Sequence, residues 1–215
     1  MSITILIIVV TCIVSYYAGL TPQDRQSRPG VFNQLKHYPV AEKRNKEYYR
    51  FLSSGFVHGS WMHLIFNMYV LYEFGSTVEL TFVNIFGSFG RIAYLLMYLV
   101  GIVIADIPSY LRHQSNPSFA SIGASGAVSS VLFIYIMFFP LNGLTFVFFP
   151  FFAFPAIVLG IGYLVYSSWA SKNRNDNIDH SAHFAGAIFG IVFIIVTYPK
   201  VIGQFIQEVQ GSLPF

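Results

Sequence analysis

Two kinds of residue are scarce in this sequence. Cysteine occurs once, as Cys12 within an apolar run, which excludes disulfides, thiolate zinc sites and a CxxC redox pair. Charged residues make up 10% of the chain, whereas an ordinary soluble domain carries about a quarter. So few charges cannot cover the surface of a soluble fold in which 55% of the residues are hydrophobic. The composition therefore indicates a membrane protein.

The motifs of two classes of membrane protease are also absent. A metal-dependent protease needs HExxH, but His58 and His63 are five residues apart, and no glutamate lies between His180 and His183. An aspartyl protease needs two aspartates within membrane spans. Only Asp106 lies near such a span, and we interpret it as a carboxylate at the end of a loop. We expect no metal ion, no cofactor and no nucleic-acid partner.

Long apolar runs dominate what is present. A helix needs about 20 apolar residues to cross the hydrocarbon core of a membrane. The first run lacks a basic segment and a small-residue cleavage site, so we expect it to be retained. Asn142 and Gly143 predict a tight turn between the fourth run and the fifth. We predict an all-α, single-domain bundle over residues 1–215 with six spans, at about 3–20, 61–80, 92–110, 120–139, 146–170 and 182–198.

The connection between the first two runs, about residues 21–56, is longer than usual loops are. It mixes aromatic residues with most of the basic residues of the chain. A long loop of this composition is usually partly structured. We predict that it is partly embedded, with its aromatic rings at the level of the lipid headgroups and its basic side chains reaching toward water.

Polar residues inside membrane spans are costly and therefore indicate function. In the second span His63 and Asn67 are four residues apart, which places them on one face of a helix. His58 precedes this helix. It either lines a water-accessible cavity or lies at the membrane interface.

Polar residues also mark the starts of the fourth and sixth spans. Ser125 lies between Gly123 and Gly126, where a helix begins, and the free N–H groups of a first helical turn can bind a developing oxyanion. At the sixth span, His180 and His183 are one turn apart. His180 either orients His183 or caps the helix.

Gly186 and Gly190 follow these histidines and form a GxxxG face, which predicts close packing against a neighbouring helix.

These residues supply most of the groups needed for nucleophilic catalysis. A serine nucleophile requires a base, for which His183 is the candidate, and an acyl intermediate requires hydrogen-bond donors for its oxyanion. His63, Asn67 and the N–H group of Ser125 can provide these donors. The serine, the base and the side-chain donors come from three different predicted helices.

The motifs resemble, in composition and order, the rhomboid family of intramembrane serine proteases. Any one of them is weak, because short motifs such as GxSG often occur by chance. The segments that carry the resemblance are Tyr49-Arg50, His58-x4-His63-x3-Asn67, Gly75-x3-Glu79, Gly123-Ala124-Ser125-Gly126 and Ala182-His183-x2-Gly186.

The resemblance implies a six-helix bundle that cuts the transmembrane segments of protein substrates after a small residue. It implies that Ser125 is the nucleophile, that His183 is the general base without a carboxylate partner, and that the lipid bilayer is the working environment. It also implies an oxyanion hole formed by His63, Asn67 and backbone N–H groups near Ala124. The sequence departs from the family pattern at Tyr49, where tryptophan is common, and at Ala185, where glycine is common.

The family orientation places the N-terminus in the cytoplasm and opens the active site to the outer face. Ten of the twelve basic residues then lie on outer loops, opposite to the positive-inside rule. We adopt the family orientation, because the basic residues of a partly embedded first loop need not count in the positive-inside rule as those of a free loop do. The expected location is the inner membrane of a bacterial cell.

Two other functions remain open at this stage. An inactive relative would keep the fold and bind transmembrane clients, although such proteins usually lose the serine or the histidine. A small transporter would use the histidines as a proton relay, but the paired broken helices typical of transporters are missing. The sequence does not indicate the physiological substrate or the oligomeric state.

Overall fold

The computed structural model describes residues 2–27, 30–146, 149–174, 176 and 178–211. The described chain is mostly helical, with short 3₁₀ turns at 54–56 and 87–89 and one two-stranded hairpin. Its helices are α1 (Ile3–Ala18), α2 (Pro22–Ser27), α3 (Val31–Leu35), α4 (Pro39–Asn45), α5 (Arg50–Ser53), α6 (Trp61–Phe86), α7 (Gly90–His113), α8 (Ser125–Phe138), α9 (Ala156–Asn173), α10 (His180–Thr197) and α11 (Lys200–Gly211).

The centre of the bundle is the contact between α8 and α10. Most side chains of α8 are buried, which requires neighbouring helices on all sides. A Cβ atom at Gly186 would overlap the carbonyl oxygen of Gly126, and one at Gly190 would overlap the carbonyl of Ser130. The two glycines of the GxxxG face therefore allow the backbones of α8 and α10 to touch.

A buried carboxylate near the end of α6 holds the start of α1. Glu79 accepts hydrogen bonds from the N–H groups of Ile3 and Thr4 and from the hydroxyl groups of Ser2 and Thr4. Arg91 lies 3.4 Å from the same carboxylate. Glu79 thus satisfies N–H groups that have no partner within α1, which is a structural role.

The third predicted span is longer than expected. Residues 92–110 were expected to end near Asp106 and Pro108, but α7 continues through Pro108 to His113. The interpretation of Asp106 as a loop-end carboxylate is therefore wrong. Its side chain is buried within α7 and accepts a hydrogen bond from the hydroxyl group of Ser54 at 2.9 Å.

The fourth predicted span begins later than expected. Residues 120–139 were assigned to it, but α8 begins at Ser125. Gly123 adopts φ +115°, a backbone conformation outside the right-handed helical region. The segment 121–124 is therefore not helical as a whole, and it leads directly into the helix at Ser125.

The fifth predicted span is partly wrong. Residues 146–155 were assigned to a helix, but β1 (Gly143–Phe146) pairs with β2 (Phe149–Pro155) as an antiparallel hairpin. α9 begins only at Ala156, because proline has no N–H group and disfavours helix in the residue before it. The expected turn at Asn142-Gly143 is also displaced, since the turn falls at 140–141 and Gly143 already pairs with Pro155.

The first connection is partly structured, as its composition predicted, and contains α2 to α5. Arg50 is buried and ties this connection together by donating to Glu47 and to the backbone carbonyls of Asn33 and Lys36. The neighbouring Tyr49 is half exposed, and the Arg50 guanidinium lies 5.5 Å from the centre of its ring. A buried cation thus holds the first connection together, while aromatic rings of the same connection are exposed.

Two stretches of the described chain are long and apolar enough to cross a membrane, namely Trp61–His113, which contains α6 and α7, and His180–Thr197. α1 and α8 are apolar but shorter. The count of six spans therefore stays a prediction. α11 lies beyond the predicted spans and was not anticipated.

Candidate active site

Ser125 and His183 meet at the junction of α8 and α10. The Oγ atom of Ser125 lies 2.8 Å from Nε2 of His183, which is hydrogen-bonding distance. Ser125 is the first residue of α8, and His183 lies in the first turn of α10. Each side chain is partly buried. A neutral imidazole at this distance can accept the serine proton, so the arrangement provides a nucleophile with an adjacent base.

A third side chain, which the sequence analysis missed, supports this pair from α9. The ring of Tyr163 stacks on His183 with centroids 6.2 Å apart and planes inclined by 21°. The hydroxyl group of Ser129 donates to the carbonyl of Ser125 at 2.7 Å, so it accepts from the hydroxyl group of Tyr163 at 2.6 Å. Tyr163 is therefore tied to both helices that carry the pair.

His63 and Asn67 lie on one face of α6, as their spacing predicted, and face Ser125 across a cavity. The ring of His63 packs against Gly123, where a Cβ atom would come within 2.6 Å of the imidazole. One amide hydrogen of Asn67 is donated to the carbonyl of His63 at 2.9 Å. A primary amide has two hydrogens, so a second one is left for another acceptor.

The cavity between these helices has a volume of about 610 Å³. This space is sufficient for a substrate side chain together with water. Walls from α6, α7, α8, α9 and α10 enclose it. The predicted site residues in its lining are Ser125, His183, His63, Asn67, Gly123 and Gly126.

His58 lies outside the lining of this cavity and is fully buried. Its Nδ1 is 3.0 Å from the hydroxyl oxygen of Ser15, which itself donates to the carbonyl of Phe56. The Nδ1–H group of His58 is therefore the donor, and Nε2 accepts the N–H group of Ala124 at 3.3 Å. Burial, with a smaller effect of His63, lowers the pKa of His58 to about 3, so the ring is neutral.

This hydrogen bond corrects the expected role of Ala124. Its N–H group was assigned to the oxyanion hole but is already donated to His58. The first N–H groups of a helix have no carbonyl acceptor one turn earlier. The backbone donors that remain near the nucleophile are therefore those of Ser125 and Gly126, in the first turn of α8.

His180 does not cap α10. The cap is Asp179, whose carboxylate accepts the N–H group of Ala182 at 3.0 Å and the hydroxyl group of Ser109 at 2.6 Å. His180 instead pairs with Asp176 at 3.2 Å, and its ring stands edge-on to His183 with centroids 6.0 Å apart. Within the described chain, His183 itself forms no ion pair with a carboxylate.

A serine hydroxyl group thus lies beside an imidazole where helices of an apolar bundle meet. A sequence profile of the Rhomboid domain matches residues 45–200. The chain therefore belongs to the rhomboid family, whose members are integral membrane proteins.

Three relatives illustrate the range of the family. The presenilin-associated rhomboid-like protein A, mitochondrial, of Danio rerio is 34% identical over 149 residues, which cover 66% of this chain and 35% of that protein. Rhomboid protease GlpG of Haemophilus influenzae is 29% identical over 160 residues, covering 74% of each chain. Rhomboid-like protein 11, chloroplastic, of Arabidopsis thaliana is 29% identical over 159 residues, covering 68% of this chain and 51% of the relative.

The chain thus spans about a third of the length of the presenilin-associated relatives it matches and about three quarters of Rhomboid protease GlpG.

Proposed function

We propose that this protein is a serine endopeptidase that cleaves the transmembrane segments of membrane-protein substrates within the bilayer. The observation that carries this proposal is the 2.8 Å distance between Ser125 Oγ and His183 Nε2. The similarity to a rhomboid protease supports the same activity. An inactive client-binding relative would not need an assembled Ser–His pair, so the geometry favours the enzyme.

In the proposed reaction, His183 takes the hydroxyl proton of Ser125 while Oγ attacks the carbonyl carbon of the scissile peptide bond. The tetrahedral oxyanion accepts hydrogen bonds from His63, from the free amide hydrogen of Asn67 and from N–H groups of the first turn of α8. The protonated His183 then gives its proton to the leaving amine, and the C–N bond breaks.

A water molecule completes the cycle by attacking the acyl-enzyme. His183 accepts a proton from this water and returns it to Ser125 Oγ as the ester bond breaks. The cavity beside Ser125 provides room for the water. Because no carboxylate of the described residues pairs with His183, we expect slower turnover than in an enzyme with a full triad.

Cleavage after a small residue is part of the proposal and is taken from the resemblance to the family. The walls next to Ser125 are themselves small, since Gly123 and Gly126 contribute no side chain and Ala105 and Ala182 contribute only methyl groups.

We further propose that α1, α6, α7, α8, α9 and α10 are the six membrane spans. On this topology the first connection and the dyad lie at the same side of the membrane, which we assign to the outer face. Relatives are named mitochondrial and chloroplastic and also occur in a bacterium, so the bacterial inner membrane stays a prediction.

The proposal is tested with detergent-purified protein and a single-span model substrate that carries a small residue near the outer end of its span. The parent is expected to cut the substrate, and Ser125→Ala and His183→Ala are expected to lose cleavage by a factor of about 10⁴ or more. Ser181→Ala is the matched control, because Ser181 is a neighbouring serine of the same site region without an assigned role. Equal cleavage by the parent and both dyad variants would refute the proposal.

A further inference from the structure

The segment 121–124, which leads into the nucleophile, is held by the backbone of the first connection. His37 and Ser121 exchange two backbone hydrogen bonds, of 3.0 and 3.1 Å. The N–H group of Gly123 donates to the carbonyl of Ser54 at 3.0 Å. The position of this segment relative to α8 therefore depends on where the first connection places His37 and Ser54.

One carboxylate from α7 faces both of these residues. The Oδ2 atom of Asp106 accepts the hydroxyl hydrogen of Ser54 at 2.9 Å and lies 3.8 Å from Nδ1 of His37. All three side chains are buried or nearly so. Asp106 is thus the point at which α7 contacts both residues that hold the segment before Ser125.

Two buried carboxylates, those of Asp106 and Glu42, face the ring of His37. The ring of His37 donates through Nδ1 to Glu42 at 2.7 Å, and Glu42 also accepts the N–H group of Tyr38. Burial lowers the pKa of His37, but the hydrogen bond to Glu42 and the charge of Asp106 outweigh it, so the pKa lies above its ordinary value. The two carboxylates thus favour the protonated form of His37.

Asp106 also lies in the lining of the cavity that contains Ser125 and His183. It has no hydrogen bond to either of them among the described contacts, so it acts through other residues. Its partner Ser54 lines the same cavity, as does Ser121, whose backbone pairs with that of His37. Asp106 and Ser54 therefore line the same cavity as Ser125 and His183.

We propose that Asp106 is a positioning residue for the hydrolysis. By holding Ser54 and His37, it fixes the segment 121–124 and with it the direction in which Ser125 and the first N–H groups of α8 face the substrate. This inference rests on the proposed function, since it concerns the rate of the same reaction. Loss of positioning acts on the transition state and should lower kcat with little change in KM.

The variants are chosen to separate charge, hydrogen bonding and stability. Asp106→Ala removes both contacts, whereas Asp106→Asn keeps an oxygen that can accept from Ser54. Glu79→Ala is the matched control, because Glu79 is another buried carboxylate but lies 16 residues along α6 from His63, about 24 Å away along the helix axis.

With the cleavage assay normalised to folded protein, we expect Asp106→Ala to lower kcat about tenfold or more and leave KM within about twofold. Asp106→Asn should recover most of the lost kcat. Glu79→Ala should lower the unfolding temperature and keep the parental kcat. Parental kcat in Asp106→Ala, or an equal loss in Glu79→Ala, would overturn the inference.

Amide hydrogen exchange provides a readout that does not need activity. We expect the N–H groups of residues 121–124 to exchange faster in Asp106→Ala than in the parent and in Glu79→Ala. If the parent itself fails to cleave, the proposed function fails, and exchange alone decides the positioning role. Unchanged exchange in 121–124 would then contradict it.

Discussion

The ring of Tyr163 on α9 covers the imidazole of His183 on α10, with their planes inclined by 21°. The same tyrosine donates a hydrogen bond to Ser129, which donates to the backbone carbonyl of Ser125. α9 is therefore linked to both members of the proposed dyad, although it contributes no group that reacts.

The first prediction separates the ring of Tyr163 from its hydroxyl group. Tyr163→Ala removes the stacking surface, so the imidazole of His183 gains freedom to turn away from Ser125, and we expect kcat to fall about tenfold. Tyr163→Phe keeps the ring and should retain more activity. Val165→Ala, an exposed position on the same helix, is the control. Equal rates in Tyr163→Ala and Val165→Ala would show that stacking has no role.

The second prediction concerns the oxyanion donors of α6. Asn67→Ala removes the amide hydrogen that is free to reach the oxyanion, and we expect kcat to fall about a hundredfold with little change in KM. His63→Ala should behave similarly. Steady-state kinetics with the model substrate provide the measurement. A raised KM with unchanged kcat would instead indicate that these side chains bind the substrate in its ground state.

The third prediction concerns the contact between α8 and α10. Gly186→Ala places a methyl group against the carbonyl of Gly126, and separating the helices should cost about 1–3 kcal/mol of stability. Gly162→Ala on α9 is the matched control, because nothing lies within 4 Å of its added Cβ atom. Thermal unfolding in detergent measures both. A similar unfolding temperature for the two variants would contradict this packing.

The fourth prediction follows from the pKa of about 3 at His58. Above about pH 6.5 the ring is neutral in both the folded and unfolded chain, so it adds no pH dependence. Below that pH the unfolded chain binds a proton that the folded chain excludes until about pH 3, so stability falls on acidification. The slope is at most about 1.4 kcal/mol per pH unit.

The matched measurement compares the parent with His58→Asn between about pH 7 and pH 5. The parent is expected to lose more stability over this interval than the variant, because the variant has no ring to protonate. The difference between the two proteins removes the contribution of His37, whose raised pKa acts in the opposite direction. Parallel losses in the two proteins would argue against a neutral buried His58.

The residues of the proposed dyad could be singled out because each carries a local pattern. Ser125 lies between glycines at a helix start, and His183 begins an apolar run with a GxxxG face. Tyr163 and Asp106 have no such pattern, since each is a single polar residue within an apolar stretch. Their contacts join residues 34 and 52 positions apart in the chain, so only the folded structure brings them together.

The errors in helix bounds have a related cause. The phenylalanine-rich run before Pro155 satisfies a hydropathy criterion for a span, but apolar content does not distinguish a strand from a helix. Pro155 marked the true start of α9. The hydrogen bond of the Ala124 N–H group could not be predicted for a different reason. Its acceptor, His58, lies 66 residues away in the sequence, and it takes the hydrogen that was expected to bind the oxyanion.

The central claim is that His183 activates Ser125 as a nucleophile. The most direct measurement is labelling by a serine-directed fluorophosphonate, with the modified residue located by mass spectrometry. We expect the label on Ser125 in the parent, no label on that position in Ser125→Ala, and at least a hundredfold slower labelling in His183→Ala. Labelling of Ser125 at the parental rate without His183, or labelling only of another serine, would contradict the account.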